Sequence, residues 1–358
     1  MDNLDIINDY KLDGFDKVRW QTPANIAFVK YWGKRDFQLP SNPSLSLTLE
    51  NSYTDTTIYF KNKEQDSPRF SFYFENKQNI QFEEKIKKYM GNISQYFDFF
   101  YDYDLVISSF NTFPHSAGIA SSASSMASIA LCLISIEKKL NNKLIGFEDF
   151  YQKASVIARM GSGSASRSIY GGFTVWGTHQ DIKNSDDNFA VKIEDELHPN
   201  FQNLRDTVLI VSNQSKKVSS TVGHSLMKNH PYAETRFKLA YDNLSKIYSS
   251  LLDGDLDLFI NILEAEALSL HGLMMTSNPG FILMEPNSIV LINKIRDIRN
   301  DLKIPIGFTL DAGPNVHLIY PDSYQEQVKE IVSSELSKYC QNSKWIDDYL
   351  GNGPKQII

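Results

Sequence analysis

A run of small and hydroxyl-bearing residues, Pro114-His-Ser-Ala-Gly-Ile-Ala-Ser-Ser-Ala-Ser-Ser-Met126, leads into an apolar helical pattern from Met126 to Leu133. Small residues let a backbone come close to a ligand. A helix start adds unpaired N–H groups and the positive end of a dipole, so the segment reads as a phosphate cradle. The same composition also suits two helices that simply pack closely. No Gly-Lys-Ser/Thr closes the loop, so a phosphate lysine has to come from elsewhere. The stretch Ser215-Lys-Lys-Val-Ser-Ser-Thr221 sets two lysines among hydroxyls and can supply one, or it is a solvated basic loop.

Three other stretches place polar groups in glycine-marked turns. Ala24-Asn-Ile-Ala-Phe-Val-Lys-Tyr-Trp-Gly-Lys-Arg-Asp36 sets Lys30, Lys34 and Arg35 beside Tyr31 and Trp32. That suits an anionic ligand, or a charged turn with aromatics packed beneath it. In Arg159-Met-Gly-Ser-Gly-Ser-Ala-Ser-Arg-Ser168, Gly161 and Gly163 end a helix, while Ser162 and Ser164 put hydroxyls into an anion nest. Arg167 suits a carboxylate or phosphate through two parallel hydrogen bonds, unless it is incidental to a helix cap. Asp311-Ala-Gly-Pro-Asn315 is either a turn former or a carboxylate held at a strand end and aimed into a cleft. His115, His224 and His271 lack metal-ligand spacing and are read as structural, and Met274-Met275 as packing.

The elements that carry these residues follow from periodicity. Ser44–Leu49 alternates polar and apolar residues, and Thr57–Phe60, Phe70–Phe74 and Leu105–Ile107 are rich in β-branched and aromatic types, so all four read as strands. A helix follows Ser124, and Phe147 to Ala158 recurs at helical spacing. The polar, acidic stretch from Gln180 to Pro199 reads as a long surface loop or a domain boundary. Beyond it come a strand at Thr207–Val211 and a long amphipathic helix from Phe237 to Leu251, ended by Asp253-Gly254. Helices at Leu256–Leu270, Ser288–Leu302 and Tyr324–Leu336, and strands at Pro305–Leu310 and Asn315–Tyr320, complete an α+β pattern.

The chain has 358 residues, 42% of them hydrophobic, with net charge −7, enough for two domains. A pI of about 5.6 implies no strongly basic face, which argues against nucleic acid as the main partner. Two cysteines, Cys132 and Cys340, give no disulfide framework. The first twenty residues carry scattered Asp and no signal-peptide core, and no run of about 18 apolar residues is seen. A cytoplasmic protein with no membrane segment is expected.

Taken in order, the motifs resemble the mevalonate diphosphate decarboxylase family of the GHMP kinase superfamily. The resemblance rests on Pro114-x-x-Ala-Gly-Ile-Ala-Ser-Ser-Ala123, Ala24-Asn-Ile-Ala-x-x-Lys-Tyr-Trp-Gly-Lys-Arg-Asp36 with Leu39-Pro-Ser-Asn42, Gly161-Ser-Gly-Ser-Ala-Ser-Arg167, Tyr170-Gly-Gly172, and Phe308-Thr-Leu-Asp-Ala-Gly-Pro-Asn315. Gly351-Asn-Gly-Pro354 is similar to the family's tail. Ile119 and Ser166 depart from the commoner Leu and Cys, and Lys61 to Asp104 shows no matching motif.

The resemblance implies a two-domain α+β GHMP-kinase-like fold, with a ribosomal-protein-S5-like N-terminal domain (1–199) and a ferredoxin-like C-terminal domain (200–358). The last residues are expected to return to the first domain. It implies a homodimer, ATP with Mg²⁺, and mevalonate 5-diphosphate as substrate. Asp311, Lys30 and Arg167 would be catalytic. Ala27, Tyr31, Trp32, Lys34, Ser162, Gly163 and Ser164 would bind substrate. Pro114, Ser116, Ala117, Gly118, Ala120, Ser121 and Ser122 would bind ATP, helped by Lys216 and Ser220; the metal ligands stay open.

The implied chemistry is coherent. Phosphorylation turns a tertiary hydroxyl into a leaving group, its departure leaves positive charge β to the carboxylate, and loss of CO₂ forms the double bond. Asp311 would orient the hydroxyl, Lys30 would keep Asp311 ionised, and Arg167 would hold the substrate carboxylate. Three alternatives remain at this point: a mevalonate or phosphomevalonate kinase of the same superfamily, a monophosphate decarboxylase, and a non-catalytic metabolite- or RNA-binding module.

Overall fold

The computed structural model describes residues 12, 14–64, 70–114, 121–214, 218 and 220–358, with residues 220 and 221 described by backbone only. The chain opens with β1 (Asp16–Val29), β2 (Ser44–Asn62), β3 (Phe70–Phe74), β4 (Lys77–Gln78), α1 (Ile80–Ile93) and β5 (Tyr103–Asn111). Then come α2 (Ser121–Asn141), α3 (Phe150–Gly161), β6 (Phe173–Trp176) and β7 (Ala190–Lys192). The second half holds α4 (Pro199–Gln202), β8 (Leu204–Leu209), α5 (Ser220–Ser225), α6 (Ala233–Asp253), α7 (Leu256–Thr276) and α8 (Pro286–Leu302). It closes with β9 (Gly307–Thr309), β10 (Val316–Pro321), α9 (Gln325–Ser334), β11 (Trp345–Tyr349) and β12 (Lys355–Gln356).

Two sheets result. The first runs β12-β1-β2-β5-β3-β4, with β6 pairing β2 and carrying β7; β3 and β5 are parallel. The second runs β11-β8-β10-β9, all antiparallel. Chain order is therefore strands, helices, then a helix-rich half around a small sheet, as the α+β pattern predicts. β12 pairs Gln356 with Trp20 of β1, so the tail returns to the first sheet.

β2 joins two expected strands into one of 19 residues. Its middle is held from the other sheet, where the Asp348 carboxylate accepts the N–H groups of Glu50, Asn51 and Ser52 at 2.9, 2.8 and 2.7 Å. β1 was not anticipated, although Val18 and Trp20 are buried and alternate with more exposed Lys17, Arg19 and Gln21. α1 was missed too; it starts at Asn79, whose side chain caps the Phe82 N–H. The expected helix from Phe147 begins instead at Phe150, because Asp149 caps it through the Gln152 N–H at 2.6 Å. The stretch 180–199 is not all surface loop: Ala190–Lys192 is a strand on β6, and Ile182, Ala190 and Ile193 are buried.

α2 is buried on every side from Ala127 to Ile136 and lies flush on β1. Ser128 Oγ donates to Trp20 O at 3.1 Å and Trp20 Nε1 donates to Ser135 Oγ at 2.9 Å, contacts that only small side chains permit. A second core is shared by both sheets, joining Ile26, Phe28, Leu45 and Leu47 to Val208, Leu244, Phe259 and Leu263. The expectation that no segment is apolar enough to span a membrane needs correcting: α7 is long and apolar enough by composition. It is apolar all round because it packs on both sides, against this core and a second cluster with Trp32 and Met227. Its Glu264 and Glu266 are bonded to arginines inside the protein.

Candidate functional site

Where the first sheet meets the second, two strand ends face each other. β1 ends at Val29 and presents Lys30; β9 leads to Asp311 in the turn before β10. Lys30 Nζ donates to Asp311 Oδ1 at 2.9 Å. The lysine side chain is 2% exposed and the carboxylate 24%, so the pair opens on one side only. His271 Nε2 donates to the Asp311 carbonyl at 3.2 Å and Gly313 N–H to the same oxygen at 2.7 Å. Asn315 Oδ1 ties the turn to the segment that follows β8 by accepting the Ser212 N–H at 2.9 Å. Burial pushes the Lys30 ammonium below its usual range; Asp311 and Glu266 oppose this, and Arg167 adds to it.

Arg167 lies in a 3-10 segment, Gly163–Ile169, and is buried at 2% exposure. Its Nε donates to Ser46 Oγ at 2.9 Å and Asn25 Oδ1 at 3.3 Å, and its Nη1 to Ser44 Oγ at 2.7 Å. Among the described residues no carboxylate forms a salt bridge with it. Neutral oxygens fix the guanidinium without cancelling its charge. Burial lowers it to about 10, with Asp311 and Tyr31 acting against that. A buried cation held by neutral partners is suited to an incoming anion.

From Tyr31 to Gly33 the segment after Lys30 is packed, whereas Arg35 and Asp36 are exposed. The Tyr31 ring meets Trp176 and His224 at centroid distances of 4.8 and 4.3 Å, and its hydroxyl is buried with no hydrogen-bond partner among the described residues. Gly163 has to be glycine, because a Cβ there would lie 2.8 Å from both the Tyr31 hydroxyl and Trp176. Trp32 is 4% exposed and packs with Met227, Leu270, Leu273, Met274 and Ala312, so it is a wall of the site. Lys34 Nζ donates to Gln38 Oε1 at 3.0 Å, and burial lowers its pKa. Ala27 is buried in β1 opposite Ser46, on the ladder that holds Arg167.

The expected phosphate cradle abuts the serine turn. Ser121 opens α2, a helix of 21 residues, and Ser122 Oγ lies 3.4 Å from Ser162 Oγ, which is 3.5 Å from Ser164 Oγ. Pro114 is exposed at the near side of the loop. Ser116, Ala117, Gly118, Ala120 and Lys216 lie outside the described residues, as does the Ser220 side chain at the start of α5. Lys30, Asp311, Arg167 and Tyr31 are thus brought together, with Ser162, Ser164 and Ser122 on the neighbouring turn.

Several contributors were not singled out from sequence. Asn25, Ser44 and Ser46 hold Arg167, and Asn42 Nδ2 donates to the Lys30 carbonyl at 3.0 Å. Glu266, on α7, accepts the Lys30 N–H at 2.9 Å. His224, read as merely structural, has its ring against Tyr31 and Trp32, and its Nδ1 accepts the Gly33 N–H at 3.0 Å. A signal existed for the serines, which alternate with leucines in β2. None marked Glu266, which sits in an apolar helix 236 residues from its partner.

Comparison with known proteins agrees with this layout. Residues 22–190 match the diphosphomevalonate decarboxylase-like N-terminal domain, and residues 207–355 the mevalonate 5-diphosphate decarboxylase C-terminal domain. The diphosphomevalonate decarboxylase of Ganoderma lucidum is 28% identical over 354 residues, covering 91% of this chain and 83% of the relative. That of Danio rerio is 29% identical over 351 residues, covering 90% and 80%. The crystal structure of mevalonate diphosphate decarboxylase from Staphylococcus aureus superposes with a TM-score of 0.82 at 28% identity, covering 97% of this chain and 99% of that one. A complex of MDDEF with MVAPP, AMPPCP and magnesium gives 0.81 at 28% identity, covering 96% and 99%.

Proposed function

We propose a division of labour among the site residues of a chain that belongs to the mevalonate diphosphate decarboxylase family. The protein converts mevalonate 5-diphosphate and ATP to isopentenyl diphosphate, CO₂, ADP and phosphate. The observation that carries the residue roles is the Lys30–Asp311 pair at 2.9 Å beside Arg167, a buried cation that forms no salt bridge with a carboxylate among the described residues.

ATP with magnesium supplies the phosphoryl group that makes the tertiary hydroxyl a leaving group. Asp311, the more open member of the pair, orients that hydroxyl and takes its proton late, a contribution of roughly 10²–10⁴-fold. Lys30 keeps Asp311 ionised and adds positive charge where the phosphoryl oxygens gather. Arg167 receives the substrate carboxylate. A firm salt bridge stabilises a carboxylate more than neutral CO₂, so Arg167 opposes the last step; its use is to fix the substrate's pose for phosphoryl transfer. Tyr31, Lys34, Ser162, Gly163 and Ser164 take the diphosphate, with Trp32 and Ala27 as walls.

Ser121 and Ser122 stand at the start of a long helix, where hydroxyls and free N–H groups fit nucleotide phosphates. Pro114, Ser116, Ala117, Gly118, Ala120, Lys216 and Ser220 complete that role in the proposal. No three His, Cys, Asp or Glu gather as a metal set among the described residues. Magnesium would come with ATP, shared between phosphate oxygens, waters and one or two carboxylates.

Three further parts of the reading rest on the family. The domain boundary falls between residues 199 and 200, supported by matched ranges on either side and by β12 returning to the first sheet. The protein is a homodimer, which sedimentation tests. It works in the cytoplasm on a small molecule, without nucleic acid or membrane.

The reaction is tested by following CO₂ from carboxyl-labelled mevalonate 5-diphosphate with and without ATP, with the 5-monophosphate as a second substrate. Release that needs ATP and prefers the diphosphate is expected. Label retained in the presence of ATP would contradict the assignment, and ADP formation without CO₂ would indicate a kinase.

A further inference from the structure

Lys30 is held at both ends. While its ammonium reaches Asp311, its main chain is gripped by a buried ion pair between α6 and α7. Glu266 Oε2 accepts the Lys30 N–H at 2.9 Å, and Arg236 Nη2 donates to the Lys30 carbonyl at 3.2 Å. Glu266 and Arg236 bond to each other at 2.7 and 2.6 Å, and Asn243 Nδ2 adds a third donor to Glu266 at 2.7 Å. Exposure is 0% for Glu266 and 2% for Arg236.

A buried ion pair is a weak way to gain stability, because desolvation offsets its attraction. A pair that spends a hydrogen bond from each member on one residue's peptide groups has another use. We propose that Glu266 is a positioning residue for the reaction: paired with Arg236, it fixes the Lys30 backbone and keeps the Lys30 side chain cationic opposite Asp311. The proposal rests on the role given to Lys30 above.

The charged groups facing Lys30 are Asp311 from the β9–β10 turn, Glu266 from α7, Arg236 from α6 and Arg167 from the 3-10 segment. The two carboxylates favour the ammonium; Arg167 and burial disfavour it. Removing the Glu266 charge while Arg236 stays leaves the cations in excess, so Lys30 loses its proton at lower pH. Removing both charges restores most of the balance.

The test uses the full-length enzyme with isotope-labelled lysine, whose Lys30 resonance is assigned with Lys30→Arg. Lys30 is titrated by NMR, and the pH dependence of kcat/KM is measured on the same samples. In Glu266→Gln the Lys30 titration and the alkaline limb of kcat/KM are expected to move down together by about one pH unit. In the double variant Arg236→Met with Glu266→Gln both move by less. A Lys30 titration that stays in place in Glu266→Gln overturns the proposal. Should that variant not fold, the double variant, which buries no unpaired charge, decides through its rate: with the grip on the Lys30 backbone gone, kcat is expected to fall roughly tenfold or more at unchanged KM, and an unchanged kcat overturns the proposal. A titration that moves while the rate profile stays supports the Glu266–Lys30 coupling and overturns the catalytic role of Lys30 instead.

Discussion

Among the described residues two buried lysines meet carboxylates, and one of them is placed to do chemistry. Lys153 of α3 bonds both oxygens of Glu137 at 2.7 Å, and also the carbonyls of Tyr96 at 3.1 Å and Ile145 at 3.0 Å. Both side chains of that pair are 0% exposed, and the Phe97 ring lies 4.8 Å from the ammonium. Lys30 Nζ makes a single bond among the described residues, to a carboxylate that is 24% exposed. Burial lowers both pKa values, so the shift does not tell them apart. Saturation does. Lys153 has spent its donors stapling the loops around 96 and 145 to α2, whereas Lys30 keeps capacity on the side where Asp311 is open.

The contrast is broken most directly by making the same change at both sites. Lys153→Met leaves Glu137 buried and unpaired, so it is expected to cost about 3–5 kcal/mol of stability. Its folded fraction should keep kcat near the wild-type value. Urea unfolding alongside active-site titration checks this, and adding Glu137→Gln should recover much of the loss. Lys30→Met is expected to do the reverse, lowering kcat roughly 10²–10³-fold with a smaller loss of stability, since Asp311 can still reach water. Equal stability losses at the two sites would erase the distinction.

His224 sharpens the comparison as a half-buried base, packed between Tyr31 and Trp32, with no carboxylate bonded to it among the described residues. Burial, then Lys34 and Arg167, lower it from 6.5 to about 3. It stays neutral in the folded protein while the unfolded chain takes a proton. The stability from this depressed pKa is therefore present above pH 6.5 and lost as pH falls from 6.5 towards 3. Unfolding at pH 7 and pH 5 is expected to show wild type losing up to about 1.4 kcal/mol per pH unit more than His224→Gln. The smallest effect belongs to the exposed pair Lys238–Asp242, 74% and 43% exposed, where Lys238→Ala is expected to change stability by about 0.5 kcal/mol or less.

Sequence reasoning reached the centre of this site because its residues sit in local turns. Asp311 lies in a Gly-Pro turn, Arg167 four residues after a Gly-Ser-Gly turn and Lys30 three residues before Gly33. Each turn carries its own composition signal. What escaped were partners distant in sequence and bland in type. Asn25, Ser44 and Ser46 are ordinary strand residues until a guanidinium from 121 residues beyond Ser46 reaches them. Glu266 lies in a helix whose apolar face dominates any pattern. β1 escaped because its polar half alternates too gently and its last eight residues are all buried, so period two fades where the strand meets the site. β2 was read as two strands because the residues from Glu50 to Thr56 are mostly polar; Ser52, Thr54, Asp55 and Thr56 are nevertheless buried, and the backbone at Glu50 to Ser52 is held by Asp348 from the other sheet.

The central claim is that the Asp311 carboxylate, held by Lys30, faces the reacting hydroxyl. The most direct measurement is ATP-dependent CO₂ release from carboxyl-labelled mevalonate 5-diphosphate by Asp311→Asn against wild type, with substrate affinity measured in parallel. Retained affinity with a rate lowered roughly 10²–10⁴-fold is the predicted result. A rate equal to that of wild type would contradict it.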